Sequence, residues 1–357
     1  MAHWQGIAIR MVPGDFTLYS EGNVLGAVDW PIEYGDLEPF YHEAEHQIGV
    51  AGSEEMDQLL RVPRPTGGFP MRPIPLSYAD KIFRSKLHGK TFNGQTIAVT
   101  ATPQARITEE SYARQEGRKI CEGYGTCIPM CPTRAKYESL FHVEKAIDLG
   151  AEIRTKAIVT KLELASPESG RISRAIYKQW NDDARSPIHS VRGKLFILAA
   201  NGIENPKLLL LSTQPGAPDG VANKSGAVGR YLMDHPLKAS YAIVKEPVYP
   251  HRGPPATSAI ETFRDGPFRR KYAAFRTTIR NDGWSFANSA PRGRDPTKLS
   301  QSRGTLLEFV GQKGIFGAEL QRELISHTLR QILLYSACAM LPNESNRVTI
   351  DTASIAV

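Results

Sequence analysis

The pattern of hydrophobic and polar positions changes along the chain. In the first part, apolar residues at helical spacing predict a helix over 34–48, with Asp36 as its N-cap. The stretch over 62–75 is rich in proline and contains two adjacent glycines, which predicts a surface loop that separates two units. A second helix is expected over 77–87.

Between residues 151 and 212 the pattern is the most regular. Apolar and alternating runs predict strands over 153–162, 174–180 and 194–200. The third run is almost entirely apolar at its end, which is typical of a buried parallel strand. It leads through a turn into a helix that is expected to have Asn205 as its N-cap and Pro206 at its first position.

Beyond residue 236 the runs become short and alternating. Stretches over 239–244, 270–280 and 305–310 predict an antiparallel sheet, and an amphipathic helix is expected over 320–329. Together with the preceding region, this pattern predicts an α/β (α+β) fold that combines a mixed parallel sheet with an antiparallel one.

Composition supports a globular protein and limits its partners. Of the 357 residues, 41% are hydrophobic and 23% charged, and the formal net charge is +7. The longest apolar runs are too short to span a bilayer, and no secretory signal pattern is visible at the start. Basic residues are concentrated at Arg264, Arg269, Arg270, Lys271, Arg276 and Arg280. They form either a docking face for an acidic partner or a solvated surface; no nucleic-acid-binding motif accompanies them, so nucleic acid is not an expected partner.

Three of the four cysteines lie within eleven residues, in the run CEGYGTCIPMCP. Clustered thiolates suit soft metals, and the ending Cys-x3-Cys-Pro is similar to the end of a ferredoxin cysteine run. Cys121, Cys127 and Cys131 therefore predict an iron–sulfur cluster, and three ligands suit a three-iron cluster. Structural zinc normally has four ligands at closer spacing. The alternative is a disulfide with one free thiol, and Cys338 is expected to be a buried small hydrophobe.

Two further motifs are ambiguous by themselves. The strand, turn and helix around Ala200, Asn201 and Gly202 could present backbone N–H groups to a dinucleotide, or could serve packing alone. Asp234 and His235 precede a proline that would hold the histidine extended, but a solvated turn has the same pattern. No G-x-G-x-x-G fingerprint occurs anywhere in the chain.

Taken together, these segments resemble the glucose-methanol-choline oxidoreductase family, specifically the large FAD subunits of gluconate, fructose, sorbitol and glucose dehydrogenases. The resemblance rests on the segments HWQGIAIRMVPGDF, DWPIEYGDLEPFYHEAE, the cysteine run followed by CPTRAKY, FILAANGIENPKLLLLS, VGRYLMDHP and LPNESNRVTID. It covers most of the chain, and the cysteine run is its most specific part. It implies an FAD-binding domain and a substrate domain.

The resemblance also implies site residues. Val159 corresponds to the residue whose backbone meets the adenine, and the turn of Ala200, Asn201 and Gly202 to the one beside the FAD. His3 and Trp4 correspond to the end of a glycine-rich segment along the flavin, and Asp234 and His235 are further cofactor-binding candidates. In such enzymes the flavin takes a hydride from a carbinol carbon, and the cluster relays electrons to a cytochrome.

By the same resemblance, a glycine-rich unit is expected before His3, and the segment that bears the catalytic histidine after NRVTID. The chain is therefore expected to be the middle of a longer enzyme, inactive alone and with no catalytic residue of its own. The expected regions are 1–75 beside the flavin, 76–150 with the cluster, 151–236 as a partial FAD-binding domain and 237–350 as the substrate-binding domain.

The expected partners are a sugar or polyol substrate, a cytochrome c subunit and a small chaperone-like subunit, with membrane contact only through a partner. The implied location is the periplasmic side of the inner membrane. The competing hypotheses are an electron-transfer or metal-binding module and a non-catalytic remnant. A ferredoxin would have no use for DWPIEYGDLEPFYHEAE or NRVTID, and these segments favour the enzyme.

Overall fold

The computed structural model describes residues 4–128, 130–180, 187–250, 252–281 and 308–351. It divides the chain into two units: unit 1 is Met1–Val143 with His235–Ala339, and unit 2 is Glu144–Asp234 with Met340–Val357. The described helices are α1 (Tyr34–Ile48), α2 (Glu55–Leu60), α3 (Tyr78–Leu87), α4 (Glu110–Glu116), α5 (Leu140–Asp148), α6 (Glu204–Leu211) and α7 (Gly317–Leu329). The described strands are β1 (Thr91–Phe92), β2 (Gln95–Thr96), β3 (Val99–Ala101), β4 (Ala157–Leu164), β5 (Ile172–Gln179), β6 (Ile188–Arg192), β7 (Leu237–Ile243), β8 (Ser258–Ile260), β9 (Phe275–Arg280) and β10 (Gln331–Cys338).

Unit 1 is built on a five-stranded antiparallel sheet with the order β3-β8-β9-β10-β7. Strand β10 pairs with β7 from Gln331 opposite Ile243 to Ala337 opposite Leu237, and with β9 on its other side. A hydrogen bond of 2.8 Å joins the Thr277 and Ser336 hydroxyls across the β9–β10 pair. The antiparallel sheet expected beyond residue 236 is therefore confirmed, and β3 from the first part of the chain completes it. Of the expected stretch over 305–310, residues 305–307 lie outside the described residues and 308–310 are helical rather than a strand.

The helices of unit 1 follow the sequence pattern closely. The predicted helices over 34–48 and 320–329 are α1 and α7, and Ser77 is the N-cap of α3. Asp36 is not the N-cap of α1: it lies inside the helix, and its carboxylate accepts a hydrogen bond of 2.8 Å from the backbone N–H of Glu33. The loop over 62–75 does not separate two units, because unit 1 continues on both sides of it.

A buried network of ion pairs fixes α1 against the first segment of the chain. The Arg10 guanidinium lies 2.8 Å from a Glu38 oxygen and 2.9 Å from a Glu45 oxygen. Arg64 joins the same network at 2.7 Å from Glu45 and 2.5 Å from Asp57. Burial raises the pKa of Asp57, because Arg64 is shared with Glu45 and compensates only in part.

Three of the six concentrated basic residues, Arg264, Arg269 and Arg276, form largely buried contacts inside unit 1, whereas Arg270 and Lys271 are exposed. Arg264 is largely buried and donates to the Arg10 carbonyl at 2.7 Å. Arg269 pairs with Asp15 at 2.8 Å, and Arg276 pairs with the fully buried Glu261 at 2.5 Å. Sequence alone could not distinguish these arginines from exposed ones, because their partners come from distant segments.

Unit 2 contains the three-stranded sheet β4-β5-β6, and both of its pairings are antiparallel. The α/β (α+β) class is confirmed, but the expected parallel strand over 194–200 is absent from the described strands. Leu195 and Ile197 are about four-fifths exposed, at 78% and 80%. A parallel strand needs a parallel neighbour to satisfy its backbone, and the described residues provide none beside this stretch.

Helix α6 begins one residue before the predicted N-cap. Asn201, with φ of 144°, accepts hydrogen bonds of 2.8 Å from the backbone N–H groups of Ile203 and Glu204. The Asn205 side chain reaches back instead, accepting from Ala200 N–H at 2.9 Å. At the other end of α6, Ser212 accepts from the Leu162 N–H of β4 at 2.9 Å. Asn201 therefore performs the capping that the sequence pattern assigned to Asn205.

The fully buried Asp80 fixes α3 to β8. Its carboxylate accepts from the Ser77 N–H at 2.8 Å, from the Ser258 hydroxyl at 2.6 Å and from the Thr257 hydroxyl. This is a capping box that also reaches a distant strand. None of the described helices is long and apolar enough to cross a membrane.

We expect Asp80→Ala to lower the free energy of unfolding of unit 1 by about 2 to 4 kcal/mol, because it leaves buried donors without an acceptor. The matched control is Asp36→Ala, which removes the same capping-box carboxylate from an exposed helix start and should cost about 1 kcal/mol or less. Urea unfolding followed by circular dichroism measures both. Equal losses in the two variants would contradict the role given to Asp80.

We expect Asn201→Ala to lower the local stability of α6 by about 1 to 2 kcal/mol, because it removes the cap and places a Cβ at a positive φ. Asn201→Gly loses the cap but adopts this φ without strain, so its cost should be a few tenths of a kcal/mol. Hydrogen exchange of the α6 amides, with β10 as internal reference, measures the difference. Unchanged exchange in both variants would show that Asn201 does not cap the helix.

Candidate functional site

The cysteine loop of unit 1 is closed by backbone hydrogen bonds to one short segment. Cys121 N–H donates to the Ile107 carbonyl at 2.9 Å, and Ile107 N–H donates to the Ala135 carbonyl at 3.1 Å. Tyr137 N–H then bonds the Ala105 carbonyl at 2.8 Å. The segment 105–107 thus contacts both ends of the loop and brings the first and last cysteines to the same region.

The three thiols have different environments. Burial raises the pKa of Cys121 and of Cys127, and the positive charge of Arg106 opposes the rise in both. Burial acts in the same direction on Cys131, but N–H groups of Lys136, Thr133 and Ala135 outweigh it, and its pKa is lowered. Each thiol influences the pKa of another, so the three lie within electrostatic reach of one another. These N–H donors therefore favour the thiolate form of Cys131, unlike the surroundings of Cys121 and Cys127.

All four cysteines are free thiols, so the disulfide alternative is not adopted. Cys338 lies in β10 and is half-buried rather than fully buried. Within the described part of the chain, no three His, Cys, Asp or Glu side chains are arranged to hold a single metal ion. A cluster of several irons does not require the three thiolates to converge on one ion, because each thiolate can bind its own iron. The cluster assignment for Cys121, Cys127 and Cys131 stays a prediction.

Two buried cations lie beside this loop. Lys136 is fully buried, and its Nζ donates to the Cys127 carbonyl at 2.8 Å and to the Trp4 carbonyl at 3.0 Å. Arg106 is 1% exposed and donates to the Gln5 carbonyl through Nη2. Its Nε and Nη1 have no hydrogen-bond partner among the described residues. A buried donor without an acceptor costs about 1 to 3 kcal/mol, and more when it is charged.

Sequence reasoning missed Arg106 and Lys136. The available signal was two basic residues close to the cysteines, one in an otherwise uncharged run and the other five positions after Cys131. Burial of both could not be predicted, because it depends on the pairing of the 105–107 segment with the residues after the loop.

The segment that begins at Trp4 is attached to the residues after the cysteine loop. Trp4 Nε1 donates to the Tyr137 carbonyl at 2.8 Å, and the two rings meet edge to face. Ala105 N–H donates to the Gly6 carbonyl at 2.7 Å. His3, predicted with Trp4 to lie along the flavin, is outside the described residues. Trp4 is thus hydrogen-bonded to the residues that follow the cysteine loop.

The remaining candidates fall at exposed positions. In unit 2, Val159 is 41% exposed on β4, and Ala200, Asn201 and Gly202 form an exposed turn before α6. Asp234 ends the first segment of unit 2 and is exposed, and His235 begins the second segment of unit 1 and is exposed. Their cofactor-binding roles stay predictions.

The helix N-terminus of α6 is not prepared for a phosphate. The N–H groups of Ile203 and Glu204 both donate to Asn201 and are therefore already satisfied. The exposed apolar side chains of Leu195 and Ile197, close in sequence to the 200–202 turn, suit a ring rather than an anion.

Comparison with known proteins identifies relatives along nearly the whole chain, although no family model matches. The fructose dehydrogenase large subunit of Gluconobacter japonicus is 33% identical over 348 residues, which cover 98% of this chain and 57% of that protein. The 2-methyl-1,2-propanediol dehydrogenase of Mycolicibacterium austroafricanum is 31% identical, over 98% of this chain and 58% of that protein.

A crystal structure of pyridoxine 4-oxidase from Mesorbium loti aligns with a TM-score of 0.49 and 15% identity, covering 99% of this chain and 59% of that one. The chain therefore spans a little over half the length of the two curated relatives, at 57% and 58%. The sequence matches cover 98% of this chain and therefore include residues of both units. On these matches, the chain belongs to the glucose-methanol-choline oxidoreductase family.

Proposed function

We propose that this chain is part of an FAD-dependent dehydrogenase that oxidises CH–OH groups of sugars, polyols or sugar acids. We further propose that its electrons pass through a three-iron cluster, held by Cys121, Cys127 and Cys131, to a cytochrome c subunit. The observation that carries the proposal is the similarity to the fructose dehydrogenase large subunit over 98% of the chain, together with three clustered free thiols.

Family membership supports the reaction class. The two relatives described above are named for the oxidation of a sugar and of a diol. FAD would supply the hydride acceptor for such a reaction. For this chain, we propose that Val159, Ala200 and Gly202 contact the ring portion of FAD, and that Trp4 lies on the flavin side of unit 1. Asn201 supports that turn through its capping bonds.

The donor set around the loop supports an anionic cluster. Cys131 already has a lowered pKa, and the buried Arg106 has two nitrogens that lack an acceptor among the described residues. Thiolates and inorganic sulfide bear negative charge and accept hydrogen bonds. The residues therefore fit a cluster better than they fit three neutral thiols.

Lys136 connects the proposed cluster ligands with the proposed flavin side. Its Nζ bonds both the Cys127 carbonyl and the Trp4 carbonyl. This gives a short connection, through one side chain, between the loop and the segment expected along the flavin. A fixed distance between two redox groups favours reproducible electron transfer, and we propose that Lys136 maintains it.

The tip of the cysteine loop has features of a partner surface. Tyr124, Ile128 and Met130 are 48%, 40% and 69% exposed, although they flank the cysteines. Exposed apolar side chains in such a group are typical of docking surfaces. We propose that the cytochrome c subunit binds here, that a small chaperone-like subunit assists assembly, and that the enzyme works on the periplasmic side of the inner membrane.

We expect the full-length protein encoded by the gene, loaded with FAD, to reduce an artificial dye with at least one of fructose, glucose, sorbitol, gluconate and 2-methyl-1,2-propanediol. Anaerobic bleaching of the flavin spectrum by the same compound is the second measurement. Ethanol is the control, because it offers a single hydroxyl and no further contacts. Bound flavin that no compound in the panel bleaches would contradict the proposed reaction.

We expect Cys121→Ser, Cys127→Ser and Cys131→Ser each to lose most of the iron and acid-labile sulfide of the anaerobically purified protein. Loss of even an outer partner of a metal ligand costs about 10- to 100-fold in affinity, and loss of a ligand should cost at least that. Cys338→Ser is the matched control and should retain both. Equal loss in Cys338→Ser, or zinc in place of iron, would refute the assignment.

A further inference from the structure

Arg106 occupies a position that neither its hydrogen bonds nor an ion pair explains fully. The Arg106 side chain is 1% exposed. Its Nη2 donates to the Gln5 carbonyl, whereas Nε and Nη1 have no acceptor among the described residues. Arg10 of the same unit, by comparison, pairs with two carboxylates, and Arg118 donates to the Ile48 and Ala135 carbonyls. A buried guanidinium in this state indicates an acceptor outside the described residues.

The backbone around Arg106 is tied to the cysteine loop. Arg106 pairs with Lys136 in an antiparallel bridge, and Ile107 bonds Cys121 and Ala135. The Gly6 backbone also packs closely against Arg106. A Cβ atom placed on Gly6 would lie 3.4 Å from Arg106 Nε and 3.4 Å from Lys136 Cγ. Backbone pairing therefore holds the Arg106 backbone beside the cysteine loop.

Arg106 has no carboxylate partner among the described residues, whereas Lys136 has Glu138 at 3.8 Å. An anionic group held by the adjacent cysteine loop would supply an acceptor for Nε and Nη1.

We propose that Arg106 is a positioning residue that balances the negative charge of the metal cluster and thereby raises its reduction potential. This inference rests on the proposed function. Addition of one electron makes the cluster more negative by one charge, and a nearby buried cation stabilises that reduced state. The electron comes from the reduced flavin in the enzyme, and from a mediator dye in the experiment.

The test compares Arg106→Gln, Arg106→Lys and wild type in the full-length protein, first by iron and sulfide content and then by potentiometric titration of the cluster. Arg106→Gln should lower the reduction equilibrium constant about tenfold or more, which equals about 59 mV for one electron. Arg106→Lys keeps the charge and should stay close to wild type. The matched control is Arg118→Gln, because Arg118 is buried nearby but donates to the Ile48 and Ala135 carbonyls, each at 2.7 Å.

Each outcome either supports or contradicts the role proposed for Arg106. If Arg106→Gln loses the cluster while Arg106→Lys retains it, charge is needed for binding and the inference holds. If both lose it, the shape of the guanidinium matters rather than its charge, and the inference fails. It also fails if Arg106→Gln keeps the wild-type potential, or if Arg118→Gln shifts as far. Wild type without iron and sulfide would overturn the proposed cluster and this inference together, and that result is visible before any potential is measured.

Discussion

The pairing of residues 105–107 with both ends of the cysteine loop is the constraint on which the candidate site depends. It places Arg106 and Lys136 in a bridge, buries both cations and brings Cys121 and the residues after Cys131 to one region. Lys136 has Glu138 at 3.8 Å, whereas Arg106 Nε and Nη1 have no hydrogen-bond partner among the described residues, which is unfavourable for a buried charge. The same pairing thus creates both the position of the thiols and the need for negative charge beside them.

This arrangement treats the three cysteines unequally. N–H donors favour the thiolate of Cys131, whereas burial favours the thiols of Cys121 and Cys127. The positive charge of Arg106 opposes the rise in pKa at Cys121 and Cys127. Under the proposed function, all three cysteines would bind as thiolates, because metal ligands must be deprotonated.

Local patterns predicted much of the fold. The α1 and α7 helices, the capped start of α3 and the antiparallel sheet around β10 follow from short-range periodicity and capping residues. The prediction of a buried parallel strand over 194–200 was wrong, because an apolar pattern does not reveal whether a neighbouring strand is available to pair with it. Asn201 was missed as a cap, because its positive φ is not encoded by spacing.

The candidate site was predictable only in part. Cysteine spacing identified the loop, because thiols are rare and their clustering has few causes. The roles of Arg106 and Lys136 were not visible, since a basic residue is usually exposed and its burial is decided by partners far along the chain. The largely buried positions of Arg264 and Arg269 were not visible for the same reason, because the Arg10 carbonyl and Asp15 supply acceptors from more than two hundred positions away.

The most direct test of the account is a crystal structure of the full-length protein, purified without oxygen, with diffraction data collected at the iron absorption edge. The account predicts several iron positions bonded to the Sγ atoms of Cys121, Cys127 and Cys131, with the Arg106 guanidinium against the cluster. A disulfide within the loop, a single zinc ion, or three thiols with no metal would contradict it.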